Sequence, residues 1–137
     1  MRALIVLGFV LVSSTSFAAT SERFGKGGWY KDFQPEIERA NAGGQLFRIK
    51  GHCQSNCTLF LGLRNACVER SATLLFHAGH DRQRNIHAGS TQRMLNAYNL
   101  KLRRYLIDNH YMETLAFHTI SGSTIIDKFG YRECPRQ

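Results

Sequence analysis

The chain is short of acid. Ten aspartates and glutamates stand against eighteen lysines and arginines, a formal charge of +8, which excludes a solvating acidic chain and favours anionic partners or surfaces. It also lacks an apolar run able to cross a bilayer: Leu4 to Val12 spans nine residues, and about 20 are needed. No repeat or low-complexity segment is present, so a solenoid is excluded. The basic residues form no stripe with interleaved aromatics and match no nucleic-acid-binding module, so nucleic acid is not expected as a partner. Their one dense group, Lys101, Arg103 and Arg104, lies on a predicted helix and reads as a solvated face.

What is present begins with an export signal. Arg2 supplies a short positive region, Leu4 to Val12 the apolar stretch, and Ser16-Phe17-Ala18 the small residues for cleavage after Ala18. Residues 1–18 are therefore read as a signal peptide and 19–137 as a single exported domain, periplasmic or secreted, with no membrane-spanning helix once the signal is gone. Cys53, Cys57, Cys67 and Cys134 are an even set in an exported chain and predict two disulfides. Three pairings exist. If Cys57 lies in the first turn of a helix packed under the strand that carries Cys67, those two would meet, leaving Cys53 to hold the C-terminal segment through Cys134.

Hydrophobic spacing predicts a helix from about Trp29 to Asn41, with Pro35 near its first turn, and a strand over 45–50. A turn over 51–54 leads to a helix from Ser55 to Leu63, and two short strands follow over 66–69 and 73–77. The polar, histidine-rich stretch 78–89 has no periodicity and reads as an exposed loop. Ser90 or Thr91 would cap one long helix reaching Asn109, followed by helices near 112–119 and 124–129. This is an α/β order, a small sheet flanked by helices.

Within it, Gly51-His52-Cys53-Gln54-Ser55-Asn56-Cys57 places a serine where a strand turns into a helix, the position at which hydrolases expose a nucleophile beside free backbone N–H groups. Phe76-His77-Ala78 follows 22 residues later. Gly27-Gly28, helix, strand, Gly51-x3-Ser55, helix, strand, Phe76-His77 resembles the Clp protease and crotonase-like families in order and spacing. The whole exported chain is similar to short exported proteins of α-proteobacterial type with a Gly-x-Cys-x-Ser-x-Cys-Thr motif, a Phe-His-Ala motif and a C-terminal cysteine.

The resemblance implies a truncated Clp/crotonase-like domain acting as a serine peptidase or other hydrolase on a peptide or another acyl substrate. Ser55 would be the nucleophile and His77 the general base, with the N–H of Gly27 or Gly28 and that of Asn56 forming the oxyanion hole. Asp127 stands about where the family places its orienting acid, with Asp81 and Asp108 as competitors; no cofactor is implied. Lys26 replaces the family's proline and Asn56 its small residue. Strands that precede the glycine pair in larger relatives have no counterpart, which uncovers a sheet edge and invites a homo-oligomer.

Three other readings compete. Ser55 can serve as a helix N-cap. The scaffold can act as a non-catalytic exported binding module. His77, His80, Asp81 and His87 carry the donor types of a zinc site.

Overall fold

The computed structural model describes residues 19–137; the expected signal peptide lies outside them. Two small three-stranded sheets are flanked by helices, a mixed α/β architecture. The first sheet orders β1 (Ala19–Thr20), β2 (Phe47–Ile49) and β4 (Ala66–Val68), all parallel. The second orders β3 (His52–Gln54), β5 (Thr73–Phe76) and β6 (His118–Ser121), with β3 parallel and β6 antiparallel to β5. Among the described residues no helix is long and apolar enough to cross a membrane.

Of the stretch 51–54, expected as a turn, only Gly51 turns the chain, and His52–Gln54 form the strand β3. Gly51 adopts φ +65°, a left-handed conformation that only glycine takes without strain. That kink sends the chain from the first sheet into the second, and Glu69 N–H to Ile49 O and Thr73 N–H to Gly51 O, each 2.9 Å, carry the pairing across the bend.

Helix α1 (Tyr30–Gly43) buries Phe33, Glu36 and Ala40, with Pro35 exposed in its interior. Glu36 is tolerated inside because Arg23 (2.9 Å) and Arg39 both bond its carboxylate, which holds its pKa below the usual range despite burial. Phe60 is the hub of the core, its ring centroid 4.5 Å from that of Phe47, 5.2 Å from Phe24 and 5.7 Å from Phe33. Each such side chain taken from water contributes about 2 kcal/mol.

Three helical expectations are corrected. Residues Ser55–Gly62 form a 3₁₀ segment, not an α-helix. The long helix is two, α2 (Ala88–Ala97) and α3 (Leu100–Asp108), although one apolar stripe runs through both. Between them Asn99 caps α3 by accepting from Leu102 N–H and donates to Phe129 O, while buried Tyr98 points its hydroxyl at Thr58 (2.6 Å). The helix expected near 112–119 is absent: its end enters β6, where Ile120 pairs Leu74 and His118 pairs Phe76. Strand pairing supplied by the tertiary fold outweighs local helical spacing there. Helix α4 (Gly122–Asp127) follows.

The disulfides are Cys53–Cys57 and Cys67–Cys134, which corrects the pairing of Cys57 with Cys67 and of Cys53 with Cys134. Cys53 lies in the middle of β3, four residues before Cys57, with Cα atoms 5.2 Å apart, so the two meet across the turn that follows the strand.

Candidate active site

Ser55 follows β3 and His77 follows β5, and these strands are parallel neighbours with Gln54 opposite Leu75. Both residues therefore emerge at the carboxyl ends of adjacent strands, where open α/β sheets form their clefts. They line one cavity of about 530 Å³, together with Gly28 and Asn56, a size suited to a small ligand.

Ser55 has φ +55°, uncommon for a residue with a side chain and costing on the order of 1 kcal/mol. The Cys53–Cys57 bridge clamps both ends of that turn, and both cysteines are fully buried. Ser55 is the first residue of the 3₁₀ segment; the N-cap is Gln54, which makes no side-chain capping bond. The N-cap reading of Ser55 is thereby corrected. Behind it, Thr58 Oγ1 donates to Ser55 O (2.7 Å). With that proton committed, the Tyr98 hydroxyl must donate to Thr58 Oγ1. Burial raises the Tyr98 pKa well above its ordinary value, so the phenol keeps its proton.

The glycine loop is laced to this turn from both sides of the serine. Gln54 N–H donates to Gly25 O (2.9 Å), Gln54 Nε2 to Lys26 O (2.8 Å) and Asn56 Nδ2 to Gly28 O (2.8 Å). Gly27, at φ +72°, packs so closely that a Cβ there would stand 2.9 Å from Ser55 Cβ and 3.0 Å from Gln54 O. The Gly27 N–H is already given to Phe24 O (2.9 Å), which removes it from the expected oxyanion donors. Those that remain are the N–H of Gly28 and of Asn56. The latter lies at the open end of the 3₁₀ segment, where the ladder supplies no partner.

His77 is only 5% exposed. Its Nδ1 lies 2.6 Å from Ala78 O; a carbonyl only accepts, so Nδ1 carries the proton and Nε2 of the neutral ring is the base. One buried side-chain polar atom lacks a partner among the described residues, His118 Nε2, so His77 Nε2 is not sealed away. Burial lowers the His77 pKa, outweighing the Ala78 carbonyl, which raises it; the nearby His80 and Arg84 lower it further. Phe117 meets the ring edge to face at 5.1 Å, and His80 stacks at 6.0 Å.

Asp127 does not join this group. Both its oxygens bind Arg70, at 2.8 and 2.9 Å, on the exposed side of α4. Asp81 bonds Asn85 through its backbone and side-chain nitrogens, and Asp108 ends α3. The partner of His77 Nδ1 is the backbone carbonyl, not a carboxylate.

The histidine-rich stretch is more ordered than its composition suggests. His80 bridges Ile86 and His87 N–H donates to Gly79 O (2.8 Å), so 79–87 forms a miniature hairpin whose turn is closed by Asp81. His87 caps α2, its Nδ1 accepting from Ser90 N–H (3.1 Å). Among the described residues no group of three or more His, Cys, Asp or Glu side chains is arranged to hold a metal ion.

Sequence reasoning missed Gln54 and Thr58 as supports of the site, and read Asn56 as a departure when it is a strap. Their one linear signal is position, one residue before, one after and three after the serine. Comparison with family models, with curated proteins and with solved structures returned no match.

Proposed function

We propose that this protein is an exported serine-histidine hydrolase of Clp/crotonase-like type, cleaving a peptide or another acyl substrate. One observation carries the reading: Ser55, in a left-handed backbone conformation, and His77, with Nε2 free, issue from adjacent parallel strands into a single cavity that Gly28 and Asn56 also line. The two disulfides fit export to an oxidising compartment.

In the reaction, Ser55 Oγ attacks the substrate carbonyl carbon and its proton passes to His77 Nε2. The resulting oxyanion accepts from the N–H groups of Gly28 and Asn56. Collapse breaks the bond to the leaving amine or alkoxide, which takes the proton from His77. Water, deprotonated by His77, then attacks the acyl-serine, releasing the carboxylic acid and restoring the Ser55 hydroxyl. The Ala78 carbonyl holds the imidazole tautomer, the positioning duty a carboxylate performs in a triad.

The rival, a non-catalytic binding module, is favoured by the position of Asp127 at Arg70 and not behind His77. Labelling with a fluorophosphonate probe decides between them. Wild type labelled and Ser55→Ala unlabelled supports the hydrolase; a folded, oxidised wild type that does not react refutes it.

A further inference from the structure

The cavity wall carries three cations and no acid. Lys26, Arg84 and Arg93 line it beside Ser55 and His77, and no aspartate or glutamate does. Among the described residues none of these three cations has a carboxylate within 4.0 Å, whereas Arg23, Arg39, Arg48 and Arg70 are all paired. Of the acids on the surrounding elements, Glu36 is bonded by Arg23 and Arg39, and two stand nearest the cavity. Asp81 is engaged by Asn85, and Asp32, in the first turn of α1, has an oxygen 4.0 Å from where a Gly28 Cβ would stand.

The cations are also placed by structure. Arg84 sits at φ +64° in the turn closed by Asp81, its N–H donating to Asp81 O (3.1 Å). Arg93 projects from α2 and lies over the Tyr30 ring, 4.1 Å from its centroid. Lys26 is fixed through its carbonyl by Gln54. Three cations without a carboxylate partner around one concavity concentrate positive potential, which neutral ligands do not repay and anionic ones do.

Building on the hydrolase reading, we propose that the substrate carries a carboxylate close to the scissile carbonyl, held by Arg84 and Arg93 with Lys26 at the rim. That carboxylate is either the C-terminal carboxylate of a peptide or the side chain of an aspartate or glutamate within it. Planar guanidinium groups suit either, through paired N–H donors.

The chain holds one tryptophan, Trp29, and it lines this cavity at 45% exposure, so its fluorescence reports occupancy. Ser55→Ala, which cannot turn substrate over, would be titrated with four matched peptides. These are acetyl-Ala-Ala-Ala with a free C-terminus, and the amides acetyl-Ala-Glu-Ala, acetyl-Ala-Gln-Ala and acetyl-Ala-Lys-Ala. At low salt at least one carboxylate peptide should bind roughly tenfold tighter than the glutamine peptide, with the advantage shrinking as salt is added; which one does so identifies the source. Adding Arg84→Gln, alone or with Arg93→Gln, should abolish the preference, and Arg93→Lys should retain most of it. Equal or tighter binding of the glutamine or lysine peptide overturns the proposal, as does absence of binding of every peptide by both fluorescence and calorimetry. A retained carboxylate preference in a protein whose wild type does not react with fluorophosphonate upholds carboxylate recognition by this cavity and refutes the hydrolase, and with it the scissile bond.

Discussion

The two poles of the molecule spend their charged and strained groups differently. At the pole of the first sheet, Arg48 is buried and bonds Glu69 (3.1 Å) and Pro135 O (2.9 Å), while Arg70 bridges Asp127 and Glu133. Cys67–Cys134 joins β4 to the C-terminal segment across 67 residues. At the cavity pole three cations lack acids, Ser55 sits in a strained conformation, and Cys53–Cys57 closes a separation of only four residues. Paired charges and a long covalent loop are what stability calls for. Unpaired charges and a clamped, strained turn are what a binding or catalytic site calls for, since strain persists only where its surroundings overdetermine it.

The largest effect should come from the cavity pole. Ser55→Ala is expected to lower acyl hydrolysis by about 10³-fold or more, with the melting temperature nearly unchanged because the backbone and the disulfide remain. A rate within tenfold of wild type in a purified, folded sample would mean that the strained turn serves something other than nucleophilic attack.

The two disulfides test the contrast directly. Replacing Cys67 and Cys134 by serine should cost about 4 kcal/mol by the loop-entropy relation, against about 2 kcal/mol for the Cys53 and Cys57 pair, measured by denaturant unfolding. Activity below the melting transition should follow the opposite order, surviving loss of the long loop and falling with loss of the short one. If both pairs move stability and activity in proportion, the division between poles is wrong.

Gly27→Ala lies next in size. It forces a side chain into φ +72° and against Ser55 Cβ at 2.9 Å, so a loss of about 1–3 kcal/mol is expected. The rate should drop at temperatures where the protein is still folded. Gly44→Ala, also left-handed at φ +66° but with open space around it, isolates the conformational part and should leave the rate alone.

His77 gives a smaller, pH-dependent effect. Its folded pKa lies below the ordinary value of about 6.5, so the imidazole is neutral and competent as a base at neutral pH, and the rate should half-titrate on the acid side of 6.5. Stability carries the same sign. Between the two pKa values the unfolded chain binds the extra proton, so stability is lost as pH falls below about 6.5 and levels off beneath the folded pKa. Burial is the main cause of the lowering, opposed by the Ala78 carbonyl, and the charges of His80 and Arg84 lower it further. An acid limb above 6.5 would show that His77 titrates with a carboxylate partner.

How much of this could be read in the linear chain follows from the range of each signal. That Ser55 and His77 each follow a short strand beside a turn was legible, a pattern a few residues long, and the fold brings the two to one cavity. The mixed α/β order was legible for the same reason. The disulfide pairing was not, because Cys53 and Cys57 meet only through a turn conformation that no residue type announces. Nor was β6, whose residues follow helical spacing until β5 offers them a partner. The break between α2 and α3 is set by Asn99 bonding Phe129 O, a residue 30 positions away, which no local window contains. Of the two glycines expected as oxyanion donors, Gly27 is withdrawn by one bond, to Phe24 O.

Asp127 is where the comparison predicts the least effect on catalysis. Spacing from His77 made it a candidate orienting acid, yet its carboxylate is exposed and held by Arg70, which keeps its pKa below the usual carboxylate value. Asp127→Asn should leave hydrolysis within about twofold of wild type, because His77 Nδ1 is oriented by the Ala78 carbonyl instead. Stability should fall slightly, and more at pH 7 than at pH 3, since the pairing is fully present above the unfolded carboxylate pKa and fades as the acid protonates. A loss approaching the 10⁴-fold seen when a triad aspartate is replaced would require α4 to swing Asp127 from Arg70 to His77 during turnover. Arg70→Gln would then raise the rate by releasing it, whereas with Asp127 held at Arg70 that variant touches only the pole of the first sheet.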